Sequence, residues 1–291
     1  MRIVSLLPSA TEIICALGLE DSLAAVTHEC DYPESVKGKP VITKSHIGPE
    51  MSSAEIDAAV SAQLNVDAHS LYTIDPELLR EIEPDLIVTQ RLCDVCAVDY
   101  DEVVEAAKTL PRPPRVLNLE PVYLEDVLAD IERVGAAVGR LEKAREVVAG
   151  LEERIDRVKT TVARAKERPS AMLLEWIDPP YCGGHWNPQL VQMAGGYDGV
   201  GNLGKPSVRI EWQQVVDFQP SVLVVSCCGY TAERAREDEH ILRSYPGYEN
   251  LPCVQSGRVH FVNGSAFYSR PGPRLVDSLE MMARFIHPEL F

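Results

Sequence analysis

The 291-residue chain carries 28 Lys and Arg against 44 Asp and Glu, a net charge of −16 with His neutral, and 45 % of it is apolar. A surface this acidic argues against nucleic acid and anionic membrane as partners. No apolar run reaches the ~18 residues that cross a bilayer, so no membrane insertion is expected, and the length accommodates two lobes of ordinary size.

The chain opens directly on an apolar strand, Ile3 to Leu7, without a basic, apolar and small-residue leader. As written it is expected to be cytoplasmic, and periplasmic or extracellular if a leader has been removed. Ser9 reads as the N-cap of the next helix, with Glu12 at capping-box spacing. Leu23 to His28 is a second strand, Pro40 to Thr43 and Ser70 to Tyr72 are short ones, Pro76 to Glu83 is a helix and Leu86 to Gln90 a strand. Val116 to Leu119 is the last strand before the helix Leu124 to Val138. Strands alternating with helices predict a parallel sheet.

From Arg140 to Lys166 the apolar positions are Leu141, Ala144, Val148, Leu151, Ile155, Val158, Val162 and Ala165, alternating in threes and fours. That is one continuous amphipathic helix with a single seam, and Pro169 stops it. The seam fits a rigid helix between two lobes; a heptad-like seam also fits an intermolecular coiled coil. The expected division is residues 1–139, an N-terminal α/β lobe; 140–167, the connecting helix; and 168–291, a C-terminal α/β lobe.

The second lobe begins with the strand Ala171 to Trp176 and the helix Asn187 to Ala194. A helix Glu211 to Phe218, a strand Val222 to Ser226, a helix Thr231 to Ser244, a strand Val259 to Val262 and a closing helix Arg274 to His287 follow. An internal echo relates the lobes: Ile74 to Gln90 and Ile210 to Ser226 each place a helix, then Pro84 or Pro220, then a strand, at equal length.

In open α/β sheets ligands bind beyond the carboxyl ends of the strands. The segments there contain Ser9; His28, Cys30 and Tyr32; Cys93 and Cys96; Cys182, His185 and Trp186; Cys227 and Cys228; and Phe267, Tyr268 and Arg270. Six of the eight cysteines lie in these loops; Cys15 falls on the buried stripe of the first helix, and Cys253 lies elsewhere. Cys30, Cys93, Cys96, Cys182, Cys227 and Cys228, with His28 or His185, are candidate ligands for zinc or copper(I), provided that at least three sulfurs converge within roughly 8 Å. Chance spacing and core packing are the plain alternatives. Tyr32, Trp186, Phe267 and Tyr268 are candidate walls of a ligand platform in a chain only 6 % aromatic, or else packing residues. Glu175 and His185 could form an acid–base pair, but no third group orients them, and no nucleophile elbow, P-loop or metalloprotease motif accompanies them.

Arg2 to Glu12, RIVSLLPSATE, together with the strand Pro84-Asp85-Leu86-Ile87 and the Arg270-Pro271-Gly272-Pro273-Arg274 lead-in to the last helix, resembles the vitamin B12 and ferric-siderophore class of ABC-transporter substrate-binding proteins, most closely its cobalamin-binding branch. The resemblance covers nearly the whole chain. It implies a class III periplasmic-binding-protein fold: two Rossmann-like lobes with parallel sheets, joined by a single long backbone helix. It also implies a non-enzymatic role in transport, an ABC-transporter permease as partner, and cobalamin or another corrinoid held in the inter-lobe cleft, against loops matching Tyr32, Trp186, Phe267 and Tyr268, with Ser9 and Arg270 as further candidate contacts. A thiolate or His28 could then be an axial ligand to cobalt. Two other expectations stay open: a cytosolic, cysteine-rich metal-binding or redox protein on the same fold, and an enzyme using Glu175 or His185.

Overall fold

The computed structural model describes residues 1–45, 51–64, 72–91 and 98–291. Two compact units make up the chain: Met1–Pro121 with Asp126–Val148, and Val122–Glu125 with Ala149–Phe291.

The elements running from the first unit into the second are β1 (Ile3–Ser5), α1 (Pro8–Ala16), β2 (Leu23–Ala25), β3 (Thr43–Ser45), α2 (Ser53–Leu64), β4 (Tyr72–Ile74), α3 (Pro76–Ile82), β5 (Leu86–Thr89), α4 (Tyr100–Lys108), β6 (Arg115–Asn118), α5 (Leu124–Ala137) and α6 (Leu141–Val162). Strands β2-β1-β5-β6 form a parallel sheet in that order, and β3 and β4 pair separately as an antiparallel ladder. The sheet interior is continuous aliphatic packing: Val4, Leu6, Ala25 and Ile87 meet Leu79, Val103 and Ala107 in one cluster.

The second unit contains β7 (Ala171–Trp176), β8 (Tyr181–Cys182), β9 (Gly184–His185), α7 (Asn187–Met193), β10 (Asn202–Leu203), α8 (Trp212–Phe218), β11 (Val222–Val225), α9 (Ala232–Glu237), α10 (Glu239–Ser244), α11 (Pro252–Gln255), β12 (Val259–Phe261) and α12 (Leu275–Ile286). Its sheet runs β12-β11-β7-β8; β7, β11 and β12 are parallel and β8 closes the edge antiparallel. All four residues of β11, Val222 to Val225, are fully buried, as a strand covered on both faces requires.

The internal echo is structural. Helices α3 and α8 each span seven residues and each ends on a left-handed residue, Glu83 (φ 43°) and Gln219 (φ 53°), directly before Pro84 and Pro220. A residue preceding proline is disfavoured in the helical region, so both helices stop at the same point and feed an inner strand of their sheet.

Three local expectations need correction. Ser9 does not cap α1: Pro8 takes the first helical position, Leu7 becomes the N-cap, and no side chain bonds the helix start. The capping box occurs instead at α8, between Glu211 and Gln214. The helix expected over 231–244 is two, α9 and α10, broken at Asp238, whose carboxylate pairs with Arg234 at 3.1 Å. Helices α2 and α4 went unread because alanine and serine give α2 little contrast and α4 buries only Val103 and Ala107.

Helix α6 is unbroken and buries Ala144, Val148, Leu151, Ile155 and Val158 on one face. The division between the units falls within it, after Val148. Its second half is pinned by Arg154, which bonds Glu280 through both carboxylate oxygens at 2.9 Å and also reaches Asp277. Gly135 of α5 lies against it so closely that a methyl there would collide with Ala144 Cβ, whereas Gly150 faces open space. Gly150→Ala should therefore stabilise the chain by about 0.5–1 kcal/mol through helix propensity. Gly135→Ala should destabilise it by about 1–3 kcal/mol through overpacking. Urea unfolding of the two variants checks the opposite signs, and equal effects would remove the close approach as the cause.

Candidate functional site

In the first unit the carboxyl ends of β1 and β2 share a hydroxyl–thiol network. The Ser5 hydroxyl donates to Leu7 O at 3.0 Å, the Thr11 hydroxyl donates to Ser5 Oγ at 2.8 Å, and Thr11 Oγ1 and Thr27 Oγ1 flank the Cys30 sulfur at 3.1 and 3.3 Å. Cys30 is 8 % exposed, so its sulfur serves this internal network. His28 Nδ1 lies 2.7 Å from Thr43 Oγ1, and its ring leans on Tyr72 at 5.2 Å between centroids. It thereby ties β3 and β4 to the loop after β2. Tyr32 is 48 % exposed. Ser9 is 2 % exposed at the start of α1. Cys93 and Cys96 lie outside the described residues.

In the second unit the expected aromatic wall splits. Trp186 is 5 % exposed and its indole Nε1 donates to Tyr268 O at 2.7 Å. Tyr268 is 1 % exposed, with its hydroxyl donating to Ser278 O at 3.0 Å and its amide to Ser278 Oγ at 3.1 Å; burial pushes its phenol pKa well up. The structure places these two rings in the core, because a loop entering the core must supply partners for its own backbone, and Trp186 and Tyr268 are spent on that. Phe267 stays half-buried, under the Arg274 guanidinium at 5.5 Å. Arg270 is buried and donates to Ser265 Oγ at 3.2 Å.

Sequence reading passed over a second aromatic group at the ends of β7 and β11. Half-buried Trp176 packs on Tyr230 at 5.0 Å between centroids, and the Arg234 guanidinium lies 4.4 Å from the Tyr230 ring. Ser265 N donates to Tyr230 O at 3.1 Å, which joins this group to the Arg270 loop. The signal was available: Trp176 ends a strand, and Tyr230 closes the Cys227-Cys228-Gly229 turn.

The thiols do not assemble a metal centre among the described residues, where no three His, Cys, Asp or Glu side chains stand ready to hold an ion. Cys182 and Cys227 are 0 % and 1 % exposed, and desolvation raises both thiol pKa values, which favours the neutral thiol. Burial likewise pushes Cys15 up to about 12 and Cys253 up to about 11. Cys228 is exposed.

Glu175 and His185 do not form a catalytic pair either; no hydrogen bond joins them among the described residues. Glu175 Oε1 accepts from Gly184 N and from Asn187 Nδ2, both at 2.7 Å, which clasps the end of β7 to β9 and α7. His185 sits at φ 47° with its ring stacked on Trp186 at 5.5 Å, and burial lowers its pKa. Desolvation raises the Glu175 pKa above its ordinary 4.5 against the pull of those hydrogen bonds. The carboxylate is therefore a structural clasp carrying an ionisation penalty. The penalty is absent below the unfolded-state pKa and grows as pH rises through the folded value. Glu175→Gln, whose amide oxygen still accepts both bonds, should flatten that part of the pH–stability curve. Glu175→Ala, which orphans two donors, should destabilise by about 2–4 kcal/mol. Thermal melts from pH 4 to 8 read both: an unchanged slope in Glu175→Gln would discard the ionisation penalty, and unchanged stability in Glu175→Ala would discard the clasp.

Two α/β units with parallel sheets and one long helix between those sheets in the chain make this a class III periplasmic-binding-protein fold. The family model described as periplasmic binding protein matches residues 3–265, and the chain belongs to that family. It is 23 % identical over 288 residues to the vitamin B12-binding protein of Vibrio cholerae serotype O1, covering 98 % of this chain and 88 % of the relative. The crystal structure of the periplasmic vitamin B12-binding protein of Vibrio cholerae superposes with a TM-score of 0.72 at 22 % identity, over 99 % of this chain and 96 % of that one. A periplasmic haem-binding protein from Pseudomonas aeruginosa superposes at 0.75 with 16 % identity, over 100 % and 94 %. These names give the cytoplasmic expectation no support. No helix among the described residues is long and apolar enough to cross a membrane.

Proposed function

We propose that the chain is the solute-binding component of an ABC importer, working outside the cytoplasm, and that its ligand is cobalamin or a related corrinoid. The observation that carries this reading is the match, along nearly the whole length of both chains, to proteins named for vitamin B12 binding. The structure supports a binder over a catalyst: Glu175 is held in a structural clasp, and burial favours the neutral thiol at Cys182 and Cys227. Tyr32, 48 % exposed in the first unit, and half-buried Trp176 and Phe267 in the second are aromatic residues of the kind that suits the broad, partly apolar surface of a corrin ring.

Titration with cobalamin should quench Trp fluorescence and saturate well below ~100 μM. Binding weaker than that, about −5.5 kcal/mol, removes the corrinoid assignment. Haem and a ferric hydroxamate, run in parallel, separate the ligand classes; tight binding of either with none of cobalamin would transfer the assignment to that class. Tyr32→Ala should weaken cobalamin binding by about tenfold, the loss of one exposed aromatic contact.

A further inference from the structure

The hydroxyl–thiol network at the ends of β1 and β2 runs in one direction. Ser5, Thr11, Thr27 and the Cys30 thiol each bring a single side-chain proton. The Ser5 hydroxyl ends on Leu7 O at 3.0 Å, a carbonyl that can only accept. Ser5 Oγ therefore accepts from its other neighbour, and the Thr11 proton is spent on it at 2.8 Å. The 3.1 Å contact between Thr11 Oγ1 and Cys30 Sγ is then left with one donor, the thiol. On the far side Thr27 Oγ1 accepts from Glu29 N at 3.1 Å, and its own proton meets the sulfur at 3.3 Å. The order is set from end to end: Thr27 to Cys30 to Thr11 to Ser5 to the Leu7 carbonyl.

All four side chains are buried. Bonds that point one way polarise one another, and a missing link leaves a buried neighbour unpaired. The chain joins α1 and β1 to the loop after β2. There Cys30 N donates to Thr27 O at 3.1 Å, which folds residues 27–30 into a tight turn, and His28 Nδ1 lies 2.7 Å from Thr43 Oγ1 of β3. The Cys30 sulfur ties this turn to α1. Two residues further on stands Tyr32, 48 % exposed. A ring this open takes its place from the backbone that carries it more than from a core around it.

We propose that Cys30 is a positioning residue for the ligand site: its thiol, held protonated as a link in this chain, fixes the turn that presents Tyr32. The inference rests on the corrinoid reading for its ligand and on the network alone for the direction of the protons. It sets Cys30 apart from a metal or axial cobalt ligand, which would have to be a thiolate and would leave Thr11 Oγ1 without its donor.

Infrared difference spectra and ligand titrations on the full chain test the two halves. The S–H stretch lies clear of other protein bands and moves to lower frequency when the thiol donates. Cys30→Ser identifies the Cys30 band by its loss. In wild type that band should lie low, and Thr11→Val, which removes the acceptor and keeps the sulfur, should move it up. A band that Thr11→Val leaves in place overturns the direction and the proposal with it. Cys30→Ala should bind cobalamin about fivefold more weakly, inside the loss expected for Tyr32→Ala, and Cys30→Ser, which can donate and accept from the same place, should recover most of it. In a Tyr32→Ala background the same Cys30→Ala change should cost less than about twofold, because the ring it positions is gone. Thr11→Val replaces Cys30→Ala in this cycle if the latter does not fold. Equal losses with and without the Tyr32 ring overturn the positioning role, while the corrinoid reading survives on wild-type affinity. If wild type takes haem and no cobalamin, the corrinoid reading falls, and the same cycle run with haem decides the positioning role by the same coupling.

Discussion

The apolar seam of α6 is the constraint on which the architecture turns. Ala144, Val148, Leu151, Ile155 and Val158 recur at spacings that keep them on one face of a straight helix, and all are buried. A helix of 22 residues is about 33 Å long, well beyond the average in compact domains. Its charged flanks leave it little stability of its own, so it persists because the seam is covered. The first two seam residues belong to one compact unit and the last three to the other, so neither unit completes its core without its share of the helix. Arg154 adds direction: a guanidinium fork on Glu280 fixes the rotation of the helix about its axis relative to α12.

The sheets follow from a similar economy. Parallel strands buried on both faces must be aliphatic throughout, which leaves their carboxyl-end loops as the place where polar and aromatic residues collect. Those loops have their own obligations. Trp186 and Tyr268 lie in them, and both rings are consumed in satisfying backbone groups, Tyr268 from a left-handed conformation at φ 62°. A non-glycine residue persists in that region only where its surroundings over-determine it, and the paired Ser278 contacts do so. Aromatic loop residues thus divide into those that hold the loop, Trp186 and Tyr268, and those that stay nearer the surface, exposed Tyr32 and half-buried Phe267.

That division marks the limit of what was legible. The α6 seam, the alternation of strands and helices, and the helix–proline–strand echo are local patterns, and each appears in the structure within a few residues of its sequence position. The start of α1 was misread because Ser9 fits a capping pattern that Pro8 pre-empts one residue earlier. The two inner thiols were illegible for a different reason: nothing in the spacing of Cys182 or Cys227 says whether a strand-end cysteine is buried, and here both are. Burial of a particular side chain is a tertiary property, set by partners far along the chain, such as Leu174 across from Cys182.

Ligand choice in such a fold resides in the loops, since relatives at 16 % and 22 % identity keep the architecture while their names record haem in one and vitamin B12 in the other. This chain's own loops have a definite character. Against an overall charge of −16, the strand ends of the second unit gather arginines over aromatic rings: Arg234 over Tyr230, Arg236 over Phe261 and Arg274 over Phe267. Such pairs keep a guanidinium flat and partly desolvated, and they stiffen the ring beneath it. Arg234 also pairs with Asp238 at 3.1 Å and Glu237 at 3.5 Å, so its charge is largely compensated and charge alone does not select the ligand. Selection has to come from shape and from the placement of polar groups in the strand-end loops, which is why the burial of each loop side chain carries more information about the ligand than the many charges around it.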